Sequence, residues 1–148
     1  MISDTYAVSS QFQFTTGLFD LGTFTSCNGL SLSYDVEERR EGGLNDHVWQ
    51  LPGRRLPYQP LVLSRPLTRE TVLIWEWLQV VGRPGVPKMH LPGHLFALGP
   101  DCKPLVGWTF FNVVPLRWTG PSFDTDTHQA ARETLELAHE GFVPYIFP

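Results

Sequence analysis

The side chains able to do chemistry fall into four groups. The first is His90 and His94, with Cys102 downstream, a conceivable metal set. Residues four apart on a straight strand lie about 13 Å apart, too far to share an ion. A tight bend at Pro92-Gly93 would be needed to join them, so ordinary surface histidines are the expectation. The second is His139 beside Glu136 and Glu140, which could be drawn as a general base. Nothing in the sequence supplies a matching nucleophile or oxyanion hole. The third, Asp124 and Asp126 beside Ser122, reads as a solvated turn and not as a carboxylate dyad. The fourth, Trp49, Trp75 and Trp77, could line an aromatic groove, but core and interface packing is the usual use of such rings. There is no phosphate-binding glycine loop, nucleophile elbow or paired-cysteine zinc signature. No catalytic, cofactor or metal residue is therefore assigned.

The elements that would have to position these residues belong to one domain. The chain has 148 residues, 42% of them hydrophobic and 18% charged, enough apolar material for a core and too much for disorder. Ten Phe and five Trp point the same way. The net charge of −4 includes no basic stripe, which disfavours direct DNA binding. Arg39-Arg40 and Arg54-Arg55 are only pairs, the first amid Glu37, Glu38 and Glu41. Two cysteines, Cys27 and Cys102, are too few for a disulfide framework and suit a reducing compartment. The start, MISDTYAVSS, shows neither the basic nor the apolar region of a signal peptide. No apolar run approaches the roughly 20 residues of a membrane helix, so membrane insertion by the monomer is not expected.

Residues 1–10 read as a loose leader, and 11–148 as one domain. Phe12 and Phe14 alternate with polar neighbours, Phe24 opens a second stretch, and Leu30, Leu32, Tyr34 and Val36 alternate with Ser31, Ser33, Asp35 and Glu37. Those periods predict half-buried strands, the last with one dry face and one wet face. Residues 41–57 have no periodicity and contain Gly42-Gly43 and Pro52-Gly53, which predicts a long loop. Its Trp49 and Leu51 suggest that it packs on something. Leu61–Leu63 is a short strand ended by Pro66. Thr68 as N-cap, Glu70 in the first turn, and Ile74, Trp75, Leu78 and Val81 at helical spacing predict a helix over 68–82, closed by Gly82 and Pro84. Residues 91–98 read as a strand pair bent at Pro92-Gly93, and 104–118 as one long strand carrying Val106, Trp108, Phe110, Val114, Leu116 and Trp118 on one face. For 127–142 the pattern favours a helix, with Ala131, Leu135, Ala138 and Phe142 on one side. The fold class is thus mainly β, an antiparallel barrel or two packed sheets with a flanking helix.

Six segments in order then resemble one family. They are Phe24–Leu30 (FTSCNGL), Asp35–Asn45 (DVEERREGGLN), Leu51-Pro52-Gly53, Ile74–Leu78 (IWEWL), Trp108–Pro121 (WTFFNVVPLRWTGP) and Glu133–Phe142 (ETLELAHEGF). Together they are similar to the inner tail-tube proteins of contractile phage tails and extracellular contractile injection systems, the group of the antifeeding prophage and the Photorhabdus virulence cassettes. The match runs over about residues 10–143. Departures lie at Ser64–Leu67, where Pro66 interrupts, and in the proline- and glycine-rich 83–104 stretch.

The resemblance implies a small barrel of two packed sheets, like the haemolysin-coregulated protein of type VI secretion. It also implies that ETLELAHEG is a strand, against the helical pattern. By the same resemblance the chain is a structural subunit without enzymatic activity or cofactor, and its copies form hexameric rings stacked into a hollow tube. The implied partners are further copies of itself, a contractile sheath protein, baseplate or spike-hub and tube-terminating proteins, and luminal protein cargo or DNA. The implied location is the cytoplasm during assembly and then a released tail or tail-like particle. Within the 41–57 loop, Glu41, Gly42, Gly43, Asn45, Trp49, Leu51, Pro52 and Gly53 are the expected subunit contacts. A monomeric ligand-binding β-barrel and a hydrolase with a degenerate site are the competing readings. The first calls for an internal apolar cavity and the second for a nucleophile–base pair.

Overall fold

The computed structural model describes residues 11–40, 48–85, 91–122, 124–126 and 130–147. The expected leader, 1–10, and His90 lie outside these residues. The strands are β1 (Phe12–Thr16), β2 (Phe19–Phe24), β3 (Ser26–Asn28), β4 (Tyr34–Arg40), β5 (Val48–Arg55), β6 (Leu61–Pro66), β7 (Gly93–Leu98), β8 (Pro104–Phe110), β9 (Val114–Thr119), β10 (Arg132–Ala138) and β11 (Phe142–Pro144). One helix, α1 (Thr71–Val81), follows β6. They build a five-stranded antiparallel sheet in the order β11-β8-β7-β1-β2 and a four-stranded one in the order β3-β6-β10-β9. The separate pair β4-β5 completes the count. Among the described residues, the mainly β fold of two packed sheets with a single helix agrees with the sequence reading.

Alternation explains how the two large sheets meet. Phe14, Leu21, Phe24, Leu95 and Phe110 from one sheet face Leu61, Leu63, Leu135 and Leu137 from the other, all buried. Helix α1 adds Ile74 and Trp77 to the same cluster. The sheets are joined along one side, where β2 runs through Thr25 into β3. That bend carries the FTSCNGL motif. Its Gly29 has φ +103, and a Cβ there would sit 2.2 Å from the Pro60 carbonyl oxygen, so the motif's glycine is sterically required.

Several local expectations are corrected. Residues 132–138 form a strand and not the helix favoured by pattern; Glu133, Leu135 and Leu137 are buried at every second position and lie between β6 and β9. Burial between two partner strands outweighs a helix preference worth tenths of a kcal/mol per residue. The single strand expected over 104–118 is two strands in different sheets, broken by a turn in which Asn112 takes φ 52. Residues 91–98 give one strand, β7, and not a bent pair. The helix begins later than expected, with Glu70 and not Thr68 at the N-cap position and no side-chain cap. Thr68 Oγ1 instead accepts from the Glu70 amide at 3.2 Å.

The Glu70 carboxylate is occupied elsewhere, at the partly exposed rim of a polar cluster centred on buried Arg65 and Glu133. Arg65 and Glu133 are 2% and 0% exposed. Arg65 Nε donates to Glu133 Oε1 at 2.6 Å, and Arg65 Nη1 donates to Glu70 Oε2 at 3.1 Å. Nη1 also donates to the carbonyls of Leu21 (2.7 Å) and Thr23 (3.2 Å), and Nη2 donates to the carbonyl of Glu70 (2.8 Å). Glu133 Oε2 accepts from Thr71 Oγ1 at 2.7 Å and from Trp118 Nε1 at 3.1 Å. The guanidinium lies 4.4 Å from the centroid of the Phe24 ring, a cation–π contact. Removing one partner of such a pair strands a buried charge at a cost of about 3–5 kcal/mol. Glu133→Ala is therefore expected to lose stability in that range in urea denaturation. The double variant Arg65→Met/Glu133→Leu should recover a large part of it, because the stranded charge is gone.

Candidate assembly surfaces

Residues 48–55, expected as part of a long loop, form strand β5 paired with β4. Glu41, Gly42, Gly43 and Asn45 lie outside the described residues. Trp49, Leu51, Pro52 and Gly53 all stand on β5. The period of 48–55 is masked because neither face is consistently apolar and a bulge shifts the register between Tyr34 and Val36. Gly53 makes that bulge possible: a Cβ there would lie 2.1 Å from the Asp35 carbonyl oxygen.

The hairpin exposes its apolar side chains. Tyr34 and Val36 are 54% and 59% exposed, and Trp49 and Leu51 are 48% and 37% exposed. Of the strand predicted over 30–37 only the part from Tyr34 onward forms; Leu30 packs against the core, and the predicted dry face on β4 is exposed in the single chain. Cross-strand pairing places Tyr34, Val36 and Val48 on one face, and Trp49 and Leu51 beside Arg39 and Glu37 on the other. A two-stranded hairpin with apolar residues on both faces is marginal in water by itself. Its base is anchored by Arg55, whose guanidinium lies 5.9 Å and 5.6 Å from the rings of Tyr34 and Tyr58 and bonds the Tyr58 hydroxyl at 2.5 Å.

The sheet edges differ in availability. On β2 the outward carbonyls of Leu21 and Thr23 are taken by Arg65, and the Thr23 amide donates to Glu70 Oε2 at 3.3 Å. The Gly22 amide donates to Asp20 Oδ1 at 2.9 Å. Side chains thus seal this edge against another strand. In the four-stranded sheet the outer strands are β3 and β9. On β9, Val114 and Leu116 are 42% and 57% exposed, and the ladder with β10 shifts register between Glu136 and Leu137. The solvent face of this sheet carries Ser26, Asn28, Ser64, Thr134 and Thr119, with Arg117 paired to Glu136 at 3.6 Å.

The chemical candidates are dispersed. His94 on β7 shares a 3.1 Å hydrogen bond with Thr109 Oγ1, and Cys102 is an exposed free thiol. Among the described residues no group of three His, Cys, Asp or Glu side chains is placed to hold a metal. Trp77 is core, Trp75 meets Trp118 edge-on at 5.0 Å, and Trp49 is on the hairpin, so the three line no common groove. The Asp126 amide bonds Asp124 Oδ1 at 2.9 Å, the turn expected there. Glu136 faces Arg117 and Glu140 accepts from Asn112 at 2.9 Å, so neither activates His139.

Sequence reasoning missed what His139 does do. Its ring lies among Tyr58, Phe110 and Phe142, with centroids at 5.3, 4.9 and 5.9 Å. Nδ1 accepts from the Gly141 amide at 3.1 Å, so the proton of the neutral ring is on Nε2, which is buried with no hydrogen-bond partner. Burial is the largest influence and pushes the imidazole below its ordinary value, while the Gln59 and Gly141 backbones act in the opposite sense. Phe110 and Phe142, three residues downstream at a Gly turn, were the available signal for such a cage.

The family described as T4-like virus tail tube protein gp19 matches residues 8–143. The chain belongs to that family. A chain of the anti-feeding prophage baseplate is 26% identical, with 97% of each chain covered and a TM-score of 0.74. A chain of the sheath–tube complex of PVC, an extracellular contractile injection system, is 19% identical over 97% of this chain and 94% of that one, TM-score 0.74. A chain of the PVC sheath/tube terminator is 20% identical over 97% and 100%, TM-score 0.73. Among curated proteins none matches. This member of the tail-tube family is a structural protein of the kind found in contractile injection systems, and the β10 strand that the resemblance implied is present.

The His139 cage has a measurable consequence. Above pH 6.5 the ring is neutral folded and unfolded; as pH falls, the unfolded chain binds the proton first, and stability is lost down through the depressed folded-state value. Urea midpoints should therefore fall as the pH drops below about 6.5, the ordinary histidine value. His139→Gln should flatten that part of the profile.

Proposed function

We propose that copies of this chain form hexameric rings that stack into the inner tube of a contractile injection machine, inside a sheath. The observation that carries the reading is the pairing of an exposed two-faced hairpin with a sandwich sealed on one edge and open at β3 and β9. A heterologous contact that closes makes a ring, and ring-on-ring contact extends it into a filament. Strand pairing between β9 of one copy and β3 of the next would remove the remaining long edges of the four-stranded sheet. The hairpin would supply further contact between copies, with Trp49, Leu51, Pro52 and Gly53 on β5, together with Glu41, Gly42, Gly43 and Asn45, as its interface residues.

On this reading the hydroxyl-rich outer face of the four-stranded sheet lines the lumen. The acidic residues Asp35, Glu37 and Glu38 lie instead on the hairpin. The work is mechanical: a rigid tube driven by sheath contraction delivers protein cargo or DNA. Sheath, baseplate and terminator proteins are its partners, with assembly in the cytoplasm and release as a particle. The ligand-binding barrel is disfavoured by an interior filled with Phe14, Phe24, Phe110 and Trp77. A second reading, a ring placed next to the baseplate, is favoured by the 26% identity to a chain of the anti-feeding prophage baseplate.

Size-exclusion chromatography with negative-stain electron microscopy of the purified chain tests the proposal. Six-fold rings or hollow tubes are expected. Deleting residues 44–52 should leave a folded monomer that no longer polymerises. Full polymerisation of that variant would remove the hairpin from the interface.

A further inference from the structure

The hairpin's position in the chain says where on a neighbour it lands, given the ring reading above. It is inserted between β3, which ends at Asn28, and β6, which begins at Leu61. It therefore springs from the β3 side of the four-stranded sheet, opposite β9. The register fixes its level. Leu61 pairs with Leu137, Leu137 pairs with Pro115, and Ala138 pairs with Val114. The hairpin base and the Val114 end of β9 thus stand at the same height on opposite edges. When β9 of one copy meets β3 of the next, the neighbour's hairpin arrives beside the 111–116 corner.

That corner is apolar and uncovered. Phe111, Val114 and Leu116 are 46%, 42% and 57% exposed. Arg117, with a side chain 73% exposed, stands next to it. One face of the hairpin brings apolar Tyr34, Val36 and Val48 together with the carboxylate of Glu38. Apolar surface would meet apolar surface, and an acidic rim would meet a guanidinium. We infer that the Phe111–Val114–Leu116 corner is the receptor for the β4–β5 hairpin of the adjacent copy in the ring. The same chain carries donor and acceptor on opposite edges, so the contact cannot be satisfied within one molecule and repeats around a closed ring.

Cysteine cross-linking tests this. Cys102 is exposed and is replaced by Ser; Cys27 stays, because burial pushes its thiol up to about 11 and leaves it unreactive to maleimide near neutrality. Val36→Cys and Leu116→Cys in one chain, treated with a short bis-maleimide, should give a ladder of covalent oligomers in assembled material and none in dilute monomer. Separately, Leu116→Glu and Phe111→Glu should each lower the yield of sedimentable assemblies about tenfold or more while circular dichroism stays unchanged. Assemblies that form at normal yield with both charged variants would overturn the assignment. So would cross-linking of Val36→Cys to Val72→Cys on α1 in place of Leu116→Cys. A parent chain that forms no rings or tubes would instead remove the ring reading itself, and the receptor with it.

Discussion

The buried ion pair between Arg65 and Glu133 is the contact on which the arrangement of the other elements depends. Arg65 stands on β6 and Glu133 on β10, side by side in one sheet. Between them they hold the edge of β2, the start of α1 and the indole of Trp118 on β9. A buried charge is tolerated where its hydrogen bonds are met. Here the requirement fixes the distance between the two sheets on the β2 side and the point at which α1 begins. A hydrophobic pair of equal volume would fill the space without dictating where β2 and α1 must lie.

The same contact shapes the outside of the molecule. By occupying the outward carbonyls of β2 it withdraws one sheet edge from pairing, and the long remaining edge is β9. A natural β-protein leaves such an edge open at the risk of uncontrolled association. On the ring reading proposed above, the open edge, the exposed hairpin and the apolar corner beside β9 are the surfaces that neighbouring copies would cover. The polar outer face of the four-stranded sheet contrasts with them: short hydroxyl side chains and a paired arginine and glutamate have little to offer an apolar partner.

The errors of sequence reading have separate physical causes. The 127–142 segment is rich in residues that suit a helix, yet its Glu133, Leu135 and Leu137 are buried at period two because β6 and β9 flank them. The 104–118 segment keeps its alternation through Asn112, so nothing in the pattern marks where the chain leaves one sheet for the other. The hairpin strand β5 is invisible to periodicity because both of its faces carry apolar residues and a bulge at Gly53 shifts the phase. Glu70 resembles a helix-start residue by type, but its carboxylate is drawn to Arg65.

By itself the sequence determined the fold class, the existence and approximate extent of α1, the strands β1 and β6, and, through six ordered motifs, the family. Those depend on local periodicity, on turn chemistry and on residues such as Gly29 and Gly53 whose backbone admits no side chain. Tertiary structure decided which strands share a sheet, that Arg65 and Glu133 meet although they are 68 positions apart, that His139 sits in an aromatic cage, and which apolar residues stay exposed. The reason is that these properties depend on pairing between distant segments, and alternation within one strand reports that a face is apolar without reporting what lies against it.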